Sequence, residues 1–226
     1  MSDFPSPRLT TGQAARLLGV HASTVKRWFD DVPEDEMTPG SHRRLALDQV
    51  ISEGRLRGYG TYLDAFGPDA GLVWQASAAW DQGNYASLHR LCYQWAKAGR
   101  ADKIGKVLLH VGGGGRLDAE VLDGAFGGCL HMVGEAWEEG RFSVGEERAV
   151  SWEVVETLLQ LIRENPPAGP EASTPVAVVG AMEGDHHFLG SLLVRALLTV
   201  KDWRVEFLGG DVPVEEFVAT RNDHSA

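Results

Sequence analysis

Long apolar runs, paired cysteines and an excess of positive charge are all missing from this 226-residue chain. No apolar stretch approaches the ~18–20 residues that span a bilayer, so no membrane partner is expected. The opening residues, MSDFPSPRLTTGQ, lack the apolar core that a secretion signal needs. Cys92 and Cys129 form no C-x-x-C pair. Buried thiols in a reducing cytoplasm are the expectation. With 21 Lys and Arg against 32 Asp and Glu, the net charge is −11. Such a chain does not coat nucleic acid non-specifically. Internal repeats are absent, and the only low-complexity tract is GGGG at 112–115. No strand pattern leads into that run and no Lys-Ser pair follows, so it separates helices rather than cradling phosphate.

What is present is a globular composition, 43% hydrophobic and 23% charged. Charge is unevenly placed. Residues 1–60 hold 8 basic and 8 acidic side chains, whereas the remainder holds 13 and 24. A neutral head on an acidic body implies two jobs. The pattern divides into residues 1–58, 72–164 and 174–226. GYGTYLDAFGPDAG (58–71) reads as a linker. NPPAGPEAST (165–174) is a second one, its prolines forbidding a continued helix.

In the head, LTTGQAARLLGVHASTVKRWFDD predicts two short helices joined by a tight turn. Thr10 or Thr11 can cap the first. Ala14, Ala15, Leu17 and Leu18 form its packing face, Gly19 permits the turn and Val20 fills the gap. Val25, Trp28 and Phe29 turn the second helix inward, leaving Ser23, Thr24, Lys26 and Arg27 outward. Short hydroxyls and long cations suit a helix that enters a major groove. MTPGSHRRLALDQV then places His42, Arg43 and Arg44 on an expected β-wing that can meet phosphate. The acids of DDVPEDEM (30–37) lie between helix and wing and would repel it. A last helix is expected from near Asp48.

Residues 72–98 predict two helices broken near Gly83–Asn84, and 101–111 and 117–139 predict two more. Ser143 followed by Glu146 is a capping-box pattern. Val144, Val155, Leu158, Leu159 and Ile162 then recur at helical spacing. A helical bundle follows.

The last segment changes period. TPVAVVGAM is a continuous apolar run, as in a strand buried on both faces of a parallel sheet. EGDHHFLG reads as a loop, Ser191–Val200 as a helix and WRVEFLG as a second strand. Asp211 is placed to cap a further helix, with Pro213 in its first turn. Strand, loop, helix, strand opens a doubly wound α/β domain, whose ligands bind beyond the strand ends, where DHHFLG falls. In Asp185-x-His187-x-x-Gly190, a carboxylate stands near a histidine that can ligate a metal. It would fix the tautomer and raise ligand basicity. Gly190 lets a wide, flat ligand approach the backbone.

TTGQAARLLGVHASTVKRW with TPGSHRRL resembles the winged helix-turn-helix of MerR-type regulators, which implies double-stranded DNA as a partner. Asp185-x-His187-x-x-Gly190, with FLGGDVP after it, resembles the signature of cobalamin-binding domains whose histidine replaces the cofactor's own base beneath cobalt. The resemblance assigns His187 as the metal ligand and Asp185 as its orienter. It is also similar in the preceding helical cap, where Trp137 is followed ten residues later by Glu147. Such a tryptophan shields a cobalt–carbon bond. Together these pieces resemble the CarH/LitR group of cobalamin-dependent, light-responsive repressors, in which adenosylcobalamin assembles the DNA-binding oligomer. Glu138 and Arg148 stand where that group carries histidines. That family carries its Ser-x-Leu and Gly-Gly motifs on segments after the second strand, whereas residues 174–226 supply only two strand patterns.

The expected architecture is multidomain, α and α/β: a winged helix-turn-helix (1–58), a helical-bundle cap (72–164) and a partial doubly wound, flavodoxin-like domain (174–226). The expected function is a cytoplasmic, cobalamin-sensing transcriptional regulator acting as a homo-oligomer or with a related regulator. Two alternatives stand beside it. One is a cofactor-free regulator or antagonist that pairs with a full-length relative. The other is a corrinoid methyl carrier serving a methyltransferase, which has no use for a helix-turn-helix. No nucleophile–base pair or hydrolytic metal cluster is visible, so independent catalysis is not expected.

Overall fold

A computed structural model describes residues 6–30, 44–166 and 174–223. The chain is mostly helical with two small sheets, and it divides into two compact units, Met1–Ala79 and Trp80–Ala226. Among the described residues, no helix is long and apolar enough to cross a membrane.

In the first unit, β1 (Arg8–Thr10) pairs antiparallel with β2 (Arg44–Ala46), bringing buried Leu9 and Leu45 side by side. Thr10 ends the strand and caps α1 (Thr11–Leu18). Its hydroxyl accepts from the Gln13 amide at 3.2 Å, and the Gln13 carboxamide accepts from the Thr10 amide at 2.8 Å. Two donors at the helix start, the Thr10 and Gln13 amides, are thereby satisfied. Gly19 closes α1 in the left-handed region at φ 65°, which glycine adopts at no steric cost. The chain re-enters helix at α2 (Ala22–Trp28), with Val25 buried. α3 (Leu47–Leu56) packs against α1, and Gly54 leaves no room for a Cβ against Leu18.

The reading of 58–71 as a linker is overturned. Tyr62–Asp69 winds into 3₁₀ turns kinked at Gly67, followed by α4 (Ala70–Trp80). Leu63 and Phe66, three apart and both buried, supply the burial that holds it. Asp64 accepts from the Thr61 amide at 2.5 Å and from Arg55 Nε at 3.1 Å. Glycine and proline mark turns here, and two apolar side chains suffice to pack them.

The second unit opens with α5 (Ala86–Lys97) and α6 (Ala101–Gly112). After the glycine run come α7 (Ala119–Val121), a π-helical stretch (Leu122–Gly127), α8 (Gly128–Glu138) and α9 (Val144–Glu164). Leu88, Ile104, Leu108, Phe126, Leu158 and Leu161 are fully buried between them. Rings at the start of α5, from Tyr85 just before it and His89 within it, fill glycine notches in the facing segment: a Cβ on Gly128 would strike His89, and one on Gly124 would meet Tyr85 at 2.5 Å. His89 Nε2 also lies 2.9 Å from the Gly124 carbonyl oxygen. Cys92 and Cys129 are free and buried, as expected.

β3 (Val176–Met182) runs parallel to β4 (Arg204–Val212), connected by α10 (Leu189–Thr199); α11 (Val214–Asp223) follows. Phe207 lies against Arg195 of α10, whereas a Cβ on Gly180 would meet Phe217 of α11, so the helices flank opposite faces. α10 also packs on α9, tying this segment to the bundle. The expectation of a strand buried on both faces fails: of β3's residues only Ala181 is buried. Among the described residues β3 has β4 alone as a partner, so its other edge lacks the neighbour a central strand requires.

Candidate functional site

The β3–α10 loop runs from Glu183 to Phe188 at the carboxyl ends of both strands. The Asp185 carboxylate accepts from the His187 amide at 2.8 Å, and the same oxygen stands 3.2 Å from His187 Nδ1. Residues two apart make this closure locally, as Asp does in tight turns. The His187 amide is the chief cause holding the Asp185 carboxyl below its ordinary range. An ionised carboxylate only accepts, so in the neutral ring the proton belongs on Nδ1 and the lone pair on Nε2. The His187 side chain is 92% exposed. Gly190 sits in the first turn of α10, and a Cβ there would meet nothing within 4 Å. The space before it is open.

Asp211 does not cap α11. It lies inside β4 at φ 57°, and its Oδ1 accepts from the Gly184 amide at 2.8 Å. His186 Nδ1 stands 3.7 Å from its Oδ2. Pattern reading started α11 two residues too early, because the left-handed kink within a strand leaves no periodic trace.

The other expected ligand contacts lie on the bundle. Trp137, at the end of α8, is 48% exposed. Glu147, in the first turn of α9, accepts from Ser151 Oγ at 2.6 Å and meets Arg148 Nε at 3.4 Å, so its carboxylate is engaged within its own helix. Pattern reading missed Trp152, 58% exposed and on the same α9 face as Val144 and Arg148 by the four-residue spacing. That spacing was the available signal.

In the first unit, Ser23, Lys26 and Arg27 are exposed on α2, and Thr24 is half-buried. The Ser23 hydroxyl lies 2.7 Å from Nδ1 of His21, which caps α2. Arg44 is half-buried in β2, its carbonyl accepting from Arg8 at 3.4 Å. His42 and Arg43 lie outside the described residues. Arg57 stacks over Trp28 at 4.9 Å, and Tyr59 packs on the same ring at 5.3 Å.

No family model matches the chain. Dimethylamine corrinoid protein 3 of Methanosarcina acetivorans is 26% identical over 107 residues, 47% of this chain and 50% of that protein. Trimethylamine corrinoid protein 1 of the same organism is 29% identical over 101 residues, 44% and 46% of the two chains. The chain spans about half the length of the curated relatives it matches. Among solved structures, the methanol:cobalamin methyltransferase complex MtaBC from Methanosarcina barkeri aligns over 68% of this chain and 53% of that one, at 24% identity and a TM-score of 0.23. A cobalamin-binding protein from Desulfitobacterium hafniense aligns over 67% and 63%, at 17% identity and a TM-score of 0.25. Scores this low carry no argument about the fold.

Proposed function

We propose that the chain is a corrinoid-binding protein and that His187 is the residue that meets the metal. One observation carries the reading: the Asp185 carboxylate stands 3.2 Å from Nδ1 of an exposed imidazole, an arrangement that reserves Nε2 of the neutral ring for a metal. The donor set fits such a group. A single oriented imidazole beside an open glycine suits a metal that brings its remaining ligands in a flat macrocycle. The relatives named corrinoid proteins support the same cofactor.

A bound corrinoid supplies a cobalt able to hold an organic group. His187 donates its nitrogen. Asp185 fixes the tautomer and restrains the ring. Gly190 leaves the loop's approach clear of side chains. Trp137 offers an exposed aromatic face to exclude water from the ligand. These relatives support a methyl carrier that serves a methyltransferase partner. Glu138 and Arg148 replace the histidines of light-responsive regulators, so no light response is proposed.

A second reading, a DNA-binding regulator with a corrinoid module, is favoured by the first unit. There α1 and α2 meet at the Gly19 turn, and α2 presents Ser23, Lys26 and Arg27 to solvent.

The test incubates the wild type and His187→Ala with hydroxocobalamin, removes free corrin by gel filtration and reads the visible absorbance. The wild type should elute coloured and His187→Ala largely colourless. A colourless wild type overturns the corrinoid reading. The same preparations, titrated with duplex DNA, decide the second reading. Lys26→Ala should lower the slope of log affinity against log salt by about 1, and no salt-dependent DNA retention by the wild type removes it.

A further inference from the structure

We propose that Asp211 is the positioning residue of the His187 loop, clamping residues 184–186 to the end of β4 from 27 residues away. Two hydrogen bonds of opposite sense form the clamp. The Asp211 carboxylate accepts from the Gly184 amide at 2.8 Å, and the Asp211 amide donates to the Asp185 carbonyl at 2.8 Å. A third contact, Oδ2 to His186 Nδ1 at 3.7 Å, follows them in sequence.

The strand register explains why this residue can reach. Gly180 pairs with Gly209 and Met182 with Val212, so one intervening residue of β3 faces two of β4, Gly210 and Asp211. β4 therefore carries an extra residue, and such a bulge re-aims a side chain. The bulged residue sits at φ 57°, a conformation that only glycine, asparagine and aspartate enter readily. Aspartate alone among these adds a carboxylate there. Gly210 completes the seat: a Cβ on it would meet the Asp185 oxygen and Phe188 Cβ, each at 3.4 Å.

The Asp185–His187 pair is closed within three residues, inside its own loop. Asp211 is what joins that loop to the sheet. Its effect on metal binding rests on the corrinoid reading; its effect on the loop does not.

The experiment compares the wild type with Asp211→Asn, Asp211→Gly and Asp211→Ala. Asparagine keeps the left-handed tolerance and an acceptor oxygen. Glycine keeps the backbone and loses the acceptor, and alanine loses both. Without any corrin, the Gly184 amide should exchange about three- to tenfold faster in the Gly and Ala variants, while Asn stays close to wild type. Unchanged exchange in Asp211→Gly overturns the proposal, because backbone strain alone would then explain the residue. Far-UV circular dichroism and the urea midpoint of Asp211→Asn report intact folding.

With cobalt(II) corrin bound to protein labelled with nitrogen-15 histidine, the nitrogen splitting in the electron paramagnetic resonance spectrum reports ligation by a protein histidine. Asp211→Gly should lose most of that signal and Asp211→Asn should restore it. A wild type that takes up no corrin defeats the corrinoid reading, while the amide exchange still decides the clamp. A wild type that binds, beside an Asp211→Gly variant with unchanged histidine ligation, defeats the clamp alone.

Discussion

The two halves of the second unit hold themselves together in different ways. In the bundle, α5, α6, α8 and α9 bury whole side chains. Phe126, Leu108, Leu158 and Leu161 are shut from solvent, and Tyr85 and His89 key into glycine notches. In the α/β segment, β3 is as apolar as any strand can be, yet six of its seven residues stay partly exposed. Its helix α10 buries Leu192, Ala196 and Thr199, partly against α9. Stability is concentrated where packing is complete. The proposed metal-binding loop stands on the segment that borrows support, and its His187 is exposed.

Paired truncations test that division most severely. Phe126→Ala should cost about 3–5 kcal/mol, because a fully enclosed ring leaves a cavity. Val178→Ala, in the middle of β3, should cost under about 1.5 kcal/mol, since the side chain is small and already partly exposed, so no closed cavity forms. Urea denaturation followed by far-UV circular dichroism measures both. Equal losses would break the comparison and place the sheet's faces under cover that the described residues do not supply.

Acid titration is a gentler probe of the same contrast. Burial in the bundle lowers His110 to about 4 from an ordinary 6.5, helped by Arg116 and opposed by Asp81. The unfolded chain binds this proton at higher pH than the folded one. Between pH 6.5 and about 4 stability therefore falls as pH falls, and the loss levels off below about 4. His110→Gln should flatten that part of the stability profile. A variant whose profile retains the full slope would show that other groups carry it.

How much of this was readable beforehand depends on range along the chain. Capping boxes are confined to four residues, so Ser143 with Glu146 was legible, and of the two caps open for the first helix the structure takes Thr10, with Gln13 as its partner. So was the Asp185–His187 pair, which closes over two residues. The π-helical stretch was not: its partner His89 lies 35 residues earlier, beyond the reach of any local pattern. Neither was Asp211, whose role exists only once β3 and β4 are in register. The 58–71 segment misled because turn residues mark direction changes and say nothing about whether Leu63 and Phe66 find cover. On α2, helical phase placed Ser23 outward correctly, but its hydroxyl is engaged by His21, a contact set by the cap rather than the face. The exposed phase of Trp152 was equally available and passed over.

The smallest expected effect lies at the corner between α8 and α9, which carries Trp137 on one side and Glu147 on the other. Lys97 of α5 holds that corner. Its ammonium donates to the Arg141 carbonyl at 2.9 Å and to Glu146 at 2.7 Å, and lies 5.2 Å from the Phe142 ring centre. Phe142 in turn stacks on Tyr93 at 5.0 Å. Lys97, followed by the Ser143 amide, lowers Glu146 to about 2 from an ordinary 4.5. A depressed carboxyl stabilises fully above its unfolded value and loses that contribution as pH falls through its folded one. Glu146→Gln isolates the charge, because glutamine at the third helical position still serves the capping box. The variant should be slightly less stable than wild type at pH 7, and the gap should close as pH falls from 4.5 towards 2. The gap should also shrink in high salt, since the pair is exposed. A gap that persists at pH 2 would mean the side chain's shape, not its charge, secures the corner. The bundle's rim would then be held by packing alone, like its interior.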